Sequence, residues 1–418
     1  MIGSLLRARR FLPLFLVQAT GGLNDNLFKN ALVILLVFRS GEGGAGLAAA
    51  AGGLFIAPYA LFSAVAGQMA DRFDKAVLIR VNKACEMVLM ALGAWALAAG
   101  GAPGLLAVLF GLGVQATAFG PLKYGILPQQ LAPGELLAGN ALIEAATFGA
   151  ILLGTILGGV LIGLADGALL VGGLGVALSS LGFVAALFVP PAPGSGAVVV
   201  RGNPVAAARG VLRAARAEPE VWRAVLGLSW FWAVGATYLA VFPVLVRDVF
   251  HADNRVVTLL LAGFALGVGV GALLGARLSR GGGAARLVAP AGAVLSLCTL
   301  GFAGLCGTGA AAGWVSPAAM LGSVAGLAAW LALFGAAVAG GVFSLPLNTA
   351  IQRGALPSER SRMVAANNVM NAVFMVVGAG VIAGVSALGV GPAALLAGGG
   401  VANLGVAWWF GRGAPRLG

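Results

Sequence analysis

Long apolar stretches, separated by short breaks that contain glycine, proline or charge, recur along this 418-residue chain. Hydrophobic residues make up 60% of the sequence and charged residues only 9%, a composition far from that of soluble domains. A helix that crosses a membrane needs about 20 consecutive apolar residues, whereas closed barrels show short alternating segments. We therefore predict an all-α polytopic membrane protein.

The breaks between the apolar runs predict twelve membrane-spanning helices. They lie near 11–38, 48–70, 76–99, 104–127, 137–164, 168–189, 221–247, 256–278, 286–306, 318–352, 363–387 and 391–411. This spacing predicts an N-terminal six-helix bundle at 1–190, a linker at 191–220 and a C-terminal bundle at 221–418. The linker ends in a stretch with regularly spaced arginines, which predicts a short amphipathic helix. That helix either lies on anionic headgroups or serves as a solvated connector.

Basic residues set the predicted orientation. The net charge of +12 comes from arginines and lysines that gather in alternate loops, among them the loop after span 2 and the linker. This is the positive-inside distribution of membrane proteins, so the charge does not point to nucleic acid. An even number of spans then places both termini in the cytoplasm. The three cysteines fall in apolar segments without paired spacing, and neither a metal site nor a cofactor is expected.

The first span contains the polar run Asn24-Asp25-Asn26-Leu27-Phe28-Lys29-Asn30. An ionisable residue inside a membrane helix costs roughly 2.5 to 3.5 kcal/mol, and such residues usually face a protein interior or a water-filled path. Asp25 and Lys29 are four residues apart and share one helix face. They are therefore either a structural ion pair or part of a substrate site.

The two predicted bundles echo each other in sequence. Gly67 and Arg72 after span 2 correspond to Gly275 and Arg280 after span 8, and Pro121-Leu122-Lys123 corresponds to Pro346-Leu347-Asn348. Repeats of six spans are the architecture of the major facilitator superfamily, whose substrate sites lie near the membrane midplane. The segment from Gly67 through Asp71 and Arg72 resembles the superfamily's loop between spans 2 and 3. That resemblance implies a conformational latch made by Gly67, Asp71 and Arg72.

A narrower resemblance rests on two regions: Asn24-Asp25-Asn26, and the segment from Phe119-Gly120-Pro121-Leu122-Lys123-Tyr124 to Asn140 and Glu144. Together they resemble the bacterial lysophospholipid transporter family. The resemblance implies a flippase that moves lysophosphatidylethanolamine and lysophosphatidylglycerol to the cytoplasmic leaflet of the inner membrane, by alternating access. It also implies a monomer, with a separate acyltransferase or acyl-carrier-protein ligase as candidate partner.

Polar residues inside the predicted spans are the candidate substrate ligands, because carboxylates suit an ammonium and lysines suit a phosphate. The candidates are Asp25, Lys29, Asn30, Lys123, Tyr124, Asn140, Glu144, Asn367 and Asn371. Lys83 and Glu86, three residues apart on span 3, are expected to form a structural pair. Span 7 carries Thr237 and Tyr238 where span 1 carries its charges.

Catalysis is not expected. Some relatives are fused to an acyltransferase, but His251, the single histidine, is followed five residues later by Val256 and not by aspartate. Phosphate-loop motifs are absent from the sequence. Two alternatives stay open, a proton-coupled transporter of another small amphiphile and a non-transporting membrane scaffold for an acyltransferase.

Overall fold

The computed structural model describes residues 2–39, 44–99, 101–196, 198–252, 254–279, 284–308, 311 and 313–412. These residues form helices and connecting loops, and no strand occurs among them. Twelve of the described helices are at least 19 residues long. Arg280, part of the sequence repeat, lies outside the described residues.

We number the twelve long helices in chain order. They are α1 (Leu12–Arg39), α2 (Gly44–Arg72), α3 (Lys75–Ala99), α4 (Ala102–Gln130), α5 (Leu136–Ile162), α6 (Gly167–Leu187), α7 (Pro219–Leu245), α8 (Asn254–Leu278), α9 (Val288–Cys306), α10 (Val324–Gly354), α11 (Arg360–Ala387) and α12 (Pro392–Gly411). A further helix, Pro204–Ala217, lies in the predicted linker, and we call it the linker helix.

Ten of the long helices in the described part are long and apolar enough to cross a membrane. The other two, α1 and α3, have the same order of length but carry polar side chains in their interiors, including Asp25 and Lys29 on α1 and Lys83 and Glu86 on α3. The protein is thus an all-α, multi-pass membrane protein. The interiors of these two helices thus carry two acids and two lysines among their apolar residues.

Packing divides the chain into two compact units. The first comprises Met1–Trp222 with Ile351–Ala372, and the second comprises Arg223–Ala350 with Val373–Gly418. The first unit therefore includes the first half of α11. The division into bundles at 1–190 and 221–418 stays a prediction.

In the first unit, α1 packs closely against α5 through two glycines. A Cβ atom at Gly154 would lie 2.5 Å from the carbonyl oxygen of Leu23, and one at Gly158 would collide with the carbonyl oxygen of Leu27. Membrane helices associate through such small residues because lipid supplies no hydrophobic drive between them. The glycines thus bring the backbone of α1 against α5 at the level of the polar run.

In the second unit, glycines on α8 play the same part against α10. A Cβ atom at Gly267 would lie 2.6 Å from the Cβ of Ala337, and one at Gly271 would collide with the carbonyl oxygen of Val338. These glycines thus permit close packing of α8 against α10.

The second unit also contains a buried amide that sequence analysis missed. Asn403 accepts a hydrogen bond from Trp230 Nε1 (2.8 Å) and donates to the carbonyl oxygen of Gly292 and to Ser296 Oγ, both at 2.8 Å. These bonds join α7, α9 and α12. A fully satisfied buried amide favours one packing arrangement over its alternatives.

We expect Gly271→Ala to destabilise the protein, because the added methyl group meets the backbone of α10. Overpacking of this kind costs about 1–3 kcal/mol. The control is Gly301→Ala, since a Cβ atom at Gly301 meets nothing within 4 Å. The apparent melting temperature of each variant in detergent measures the effect, and equal values would contradict the packing role of Gly271.

Candidate functional site

The polar run of α1 divides between two tasks. Three of its amides are committed to packing: Asn24 Nδ2 donates to Glu86 Oε1 (3.2 Å), Asn26 Nδ2 to the carbonyl oxygen of Gly22 (2.8 Å) and Asn30 Nδ2 to that of Thr155 (2.7 Å). Asn30 thus joins α1 to α5, and its role toward substrate stays a prediction. Asp25 and Lys29 are half-buried.

Asp25 and Lys29 do not pair. Among the described residues, neither side chain forms an ion pair within 4.0 Å, and the buried Oδ1 of Asp25 has no hydrogen-bond partner there. The Lys29 ammonium lies 5.3 Å from the ring centre of Phe55, in cation–π geometry. The structural pair, one of the two sequence alternatives, is therefore not formed.

Lys123 on α4 is also balanced by neutral groups. Its Nζ donates to Gln18 Oε1 (3.1 Å), and the Nε2 of Gln18 donates in turn to Thr147 Oγ1 (2.9 Å). The ammonium also lies 5.0 Å from the ring centre of Tyr124 and 6.0 Å from that of Phe119. In the part of the chain that the structure describes, no carboxylate forms an ion pair with Lys123.

The candidates on α5 differ in their contacts. Asn140 forms a two-way amide pair with Gln352, with Nδ2 to Oε1 at 2.7 Å and Nε2 to Oδ1 at 2.9 Å, and both residues are buried. The Asn140–Gln352 pair thus bridges α5 and the end of α10. Glu144 is buried and close enough to Lys123 and Tyr124 to interact with them electrostatically.

The first half of α11 supplies further amides. Asn367 is buried, and its Oδ1 has no hydrogen-bond partner in the described part of the chain. Asn371 follows one turn later, with interactions of its own. Sequence analysis missed Asn368, whose Nδ2 would lie 2.6 Å from a Cβ atom at Gly120. Asn368 therefore lies against α4, a contact that helix packing decides.

A second polar cluster, formed by Asn24, Asn82, Lys83, Glu86 and Gln115, lies between α1, α3 and α4. Lys83 and Glu86 form the predicted ion pair, and both side chains are only 1% exposed. Gln115 Nε2 donates to Asn82 Oδ1 and to Glu86 Oε2, both at 2.8 Å. The three-residue spacing predicted the Lys83–Glu86 pair. It did not predict the amides of Asn24 and Gln115, which come from other helices.

Glycine makes room for this cluster. A Cβ atom at Gly21 would collide with the Lys83 ammonium, and one at Gly182 would lie 2.8 Å from Thr20 Oγ1. The ammonium also lies 5.0 Å from the ring centre of Phe119. The Lys83–Glu86 pair is therefore enclosed by α1, α3, α4 and α6, and both of its charges are compensated.

The residues described so far include three lysines and three acids, all within the first unit. They are Lys29, Lys83, Lys123, Asp25, Glu86 and Glu144. Asp25 interacts electrostatically with Glu86 and with all three lysines. The charges balance in number, and Lys83 and Glu86 form an ion pair with each other. The geometry suits a ligand that carries both a cation and an anion.

A third polar group lies where α2 meets the beginning of α11. The carboxylate of Asp71 accepts hydrogen bonds from the backbone N–H groups of Ser361 (2.9 Å) and Arg362 (3.0 Å), and from Arg362 Nε (3.4 Å). A carboxylate is favoured at a helix N-terminus, because the unpaired N–H groups there carry partial positive charge. A Cβ atom at Gly67 would lie 2.6 Å from that of Ala365, so glycine permits the approach.

The latch residues predicted from sequence thus fall into two groups. Gly67 and Asp71 meet α11, whereas Arg72 is exposed and stacks over Phe73, with its guanidinium 5.3 Å from the ring centre. The arginine that meets Asp71 is Arg362, from the far end of the sequence. A conformational role for these residues stays a prediction.

Residues 14–336 match the family model described as Major Facilitator Superfamily. The chain belongs to the major facilitator superfamily. The chain is also similar to solved structures over nearly its whole length. The human organic anion transporter MFSD10 (TETRAN) matches with a TM-score of 0.77 at 17% identity, covering 96% of this chain and 99% of that one.

A bacterial homologue of the iron transporter ferroportin, in its outward-facing state, matches with a TM-score of 0.72 at 13% identity, covering 97% of this chain and 100% of that one. At such identities the likeness concerns the fold alone. It agrees with the predicted fold class.

Curated relatives are more similar in sequence but over a shorter stretch. The Lysophospholipid transporter LplT of Escherichia coli O1:K1 / APEC and that of strain UTI89 / UPEC are each 31% identical over 233 residues, covering 54% of this chain and 55% of the relative. This facilitator-superfamily chain thus spans about half the length of the curated relatives it matches. It is similar to a membrane transporter of lysophospholipids.

We expect Lys83→Met to destabilise the protein more than Lys83→Met combined with Glu86→Gln. The single change leaves a buried carboxylate uncompensated, which costs about 3–5 kcal/mol, whereas removing both charges costs much less. Denaturant unfolding in detergent gives the free energies of unfolding.

The control for this comparison is Arg247→Gln, because the Arg247–Asp248 pair is exposed and such pairs contribute at most about 1 kcal/mol. If the effects of Lys83→Met and Glu86→Gln simply added, the two charges would not be coupled.

Proposed function

We propose that this protein is a lysophospholipid flippase. It moves lysophosphatidylethanolamine and lysophosphatidylglycerol across the bacterial inner membrane to the cytoplasmic leaflet by alternating access, for reacylation by a separate acyltransferase. Both termini are cytoplasmic and the chain acts as a monomer without catalytic activity of its own. The similarity to LplT supports the substrate class.

The observation that carries the proposal is the uncompensated charge of the first unit. Asp25, Lys29 and Lys123 lie in membrane-embedded helices, half-buried, with aromatic rings and neutral amides in place of direct counter-ions. Retaining charge at membrane depth is costly. A ligand that brings complementary charge recovers part of that cost, because charge-assisted hydrogen bonds are the strong ones.

Each charged group of the lipid headgroup has a residue of opposite charge as its proposed partner. The ammonium of lysophosphatidylethanolamine is matched by the carboxylate of Asp25, with Glu144 nearby, and the phosphate is matched by Lys123 and Lys29. Asn30, Tyr124, Asn140, Asn367 and Asn371 complete the proposed set of polar contacts. The acyl chain needs no polar partner and stays in apolar surroundings.

The second unit supports this assignment by contrast. Each charged side chain that is fully buried in the described part of the chain belongs to the first unit; these are Asp71, Lys75, Lys83, Glu86 and Glu144. At the place of span 7, Tyr238 forms a hydrogen bond with Thr299 (2.6 Å) and packs against Phe264. The first unit is therefore the proposed reader of the headgroup.

The direct test is transport in reconstituted vesicles with labelled lysophosphatidylethanolamine in one leaflet. We expect protein-dependent movement to the other leaflet without an imposed pH gradient. Absence of movement would overturn the flippase proposal. A strict requirement for a pH gradient would instead favour the proton-coupled alternative.

Substitutions of Asp25 and Lys123 should affect the transport rates of the two lysophospholipids differently. Asp25→Asn should slow lysophosphatidylethanolamine about tenfold and affect lysophosphatidylglycerol much less, because only the former carries an ammonium. Lys123→Gln should slow both, because both carry a phosphate. The measurement is the initial rate of movement for each labelled lipid.

The matched control is Asp166→Asn, at an exposed loop aspartate that makes no side-chain cap bond. It should leave both rates unchanged. Equal loss of both substrates in Asp25→Asn would contradict the assignment of Asp25 to the ammonium, without touching the flippase proposal itself.

A further inference from the structure

The linker helix lies at the end of a membrane-spanning helix. The segment before it is bonded to the end of α2: the Arg201 N–H donates to Gln68 Oε1 (2.7 Å), and the Ser195 N–H donates to the carbonyl oxygen of Asp71 (2.8 Å). Since α2 crosses the membrane and ends at Arg72, these bonds place the linker helix at the level where lipid headgroups begin.

The linker helix has two distinct faces. Ala207, Val211 and Ala215, spaced by four residues, are buried and form the packed face. The opposite face carries Arg209, Arg213 and Arg216, all exposed, together with Val205, which is 55% exposed. We call this second face the arginine face.

The arginine face lies in a segment where basic residues outnumber acidic ones. From Ser195 to Ala217 the sequence contains four arginines and no acidic residue, and two acidic residues, Glu218 and Glu220, follow. In the described part of the chain, none of the three arginines of the face forms an ion pair. Arg216 stacks over Trp222, with its guanidinium 4.9 Å from the ring centre. An external anion is therefore the missing partner.

Exposed apolar side chains favour a lipid as that partner. Val199 is 75% exposed, Val205 55% and Phe73, which follows the end of α2, 45%. Val205 lies on the arginine face, and Val199 and Phe73 lie on the segments beside it. Exposed apolar surface thus adjoins the basic surface, and membrane binding draws on both buried apolar area and attraction to anionic lipid. Arginine also binds phosphate through two parallel hydrogen bonds. A soluble acidic partner would not account for the exposed valines.

We infer that the arginine face is a binding site for anionic phospholipid headgroups of the surrounding bilayer. Arg209, Arg213 and Arg216 bind the phosphates, and Val205 lies at the boundary with the acyl chains. This inference rests on the linker helix alone and does not depend on the transported substrate.

The test uses a fluorophore on Val205→Cys in the full chain, with Cys85, Cys298 and Cys306 replaced by alanine. The protein is placed in phosphatidylcholine nanodiscs that contain the same fraction of either brominated phosphatidylglycerol or brominated phosphatidylcholine. We expect stronger quenching by the brominated phosphatidylglycerol. Combined Arg209→Gln, Arg213→Gln and Arg216→Gln should abolish that preference, which should fall by up to about fivefold for each arginine removed.

Two controls accompany the test. Combined Arg7→Gln and Arg9→Gln, at exposed arginines elsewhere in the first unit, should leave the preference unchanged. Replacement of the three arginines by lysine keeps the charge and should retain part of the preference.

Three results would overturn the inference. Equal quenching by the two lipids would show that the face does not select anions. Absence of quenching by either would place the face away from the bilayer, as expected for a soluble acidic partner. A preference that survives the glutamine substitutions would assign it to other residues.

Discussion

The cost of leaving a charge inside a membrane governs this structure. The Lys83–Glu86 pair shows how the chain meets that cost: both charges are enclosed, and the carboxylate also accepts hydrogen bonds from Asn24 and Gln115. Asp25 and Lys123 lie in the same unit but lack such compensation. The first unit thus contains a compensated polar cluster and, apart from it, charged side chains that form no ion pair among the described residues.

Close helix packing through glycines holds the enclosed Lys83–Glu86 pair and fixes the position of α1. Gly21 leaves space for the Lys83 ammonium, and Gly154 brings α1 against α5. Rotation of α1 is thereby restricted on two sides, by Asn24 toward α3 and by Asn30 toward α5. Asp25 and Lys29 are left on the remaining face. The amides around Asp25 thus orient it without neutralising it.

Two buried polar contacts in the second unit are made by neutral side chains. Asn403 joins three helices through hydrogen bonds, and Tyr238 pairs with Thr299. Neither arrangement leaves a charge in need of a partner. This difference agrees with the proposal that the first unit recognises the headgroup.

By itself, the sequence determined the helical membrane architecture, because apolar run length is a local property that the bilayer thickness converts directly into spans. It also determined the Lys83–Glu86 pair, since residues three apart share a helix face. The tertiary structure decided which charges remain uncompensated. It brought Gln115 to Glu86 and Gln18 to Lys123, and it gave Arg362 rather than Arg72 to Asp71. Those partners come from helices distant in sequence, and no local periodicity records which side chains helix packing brings together.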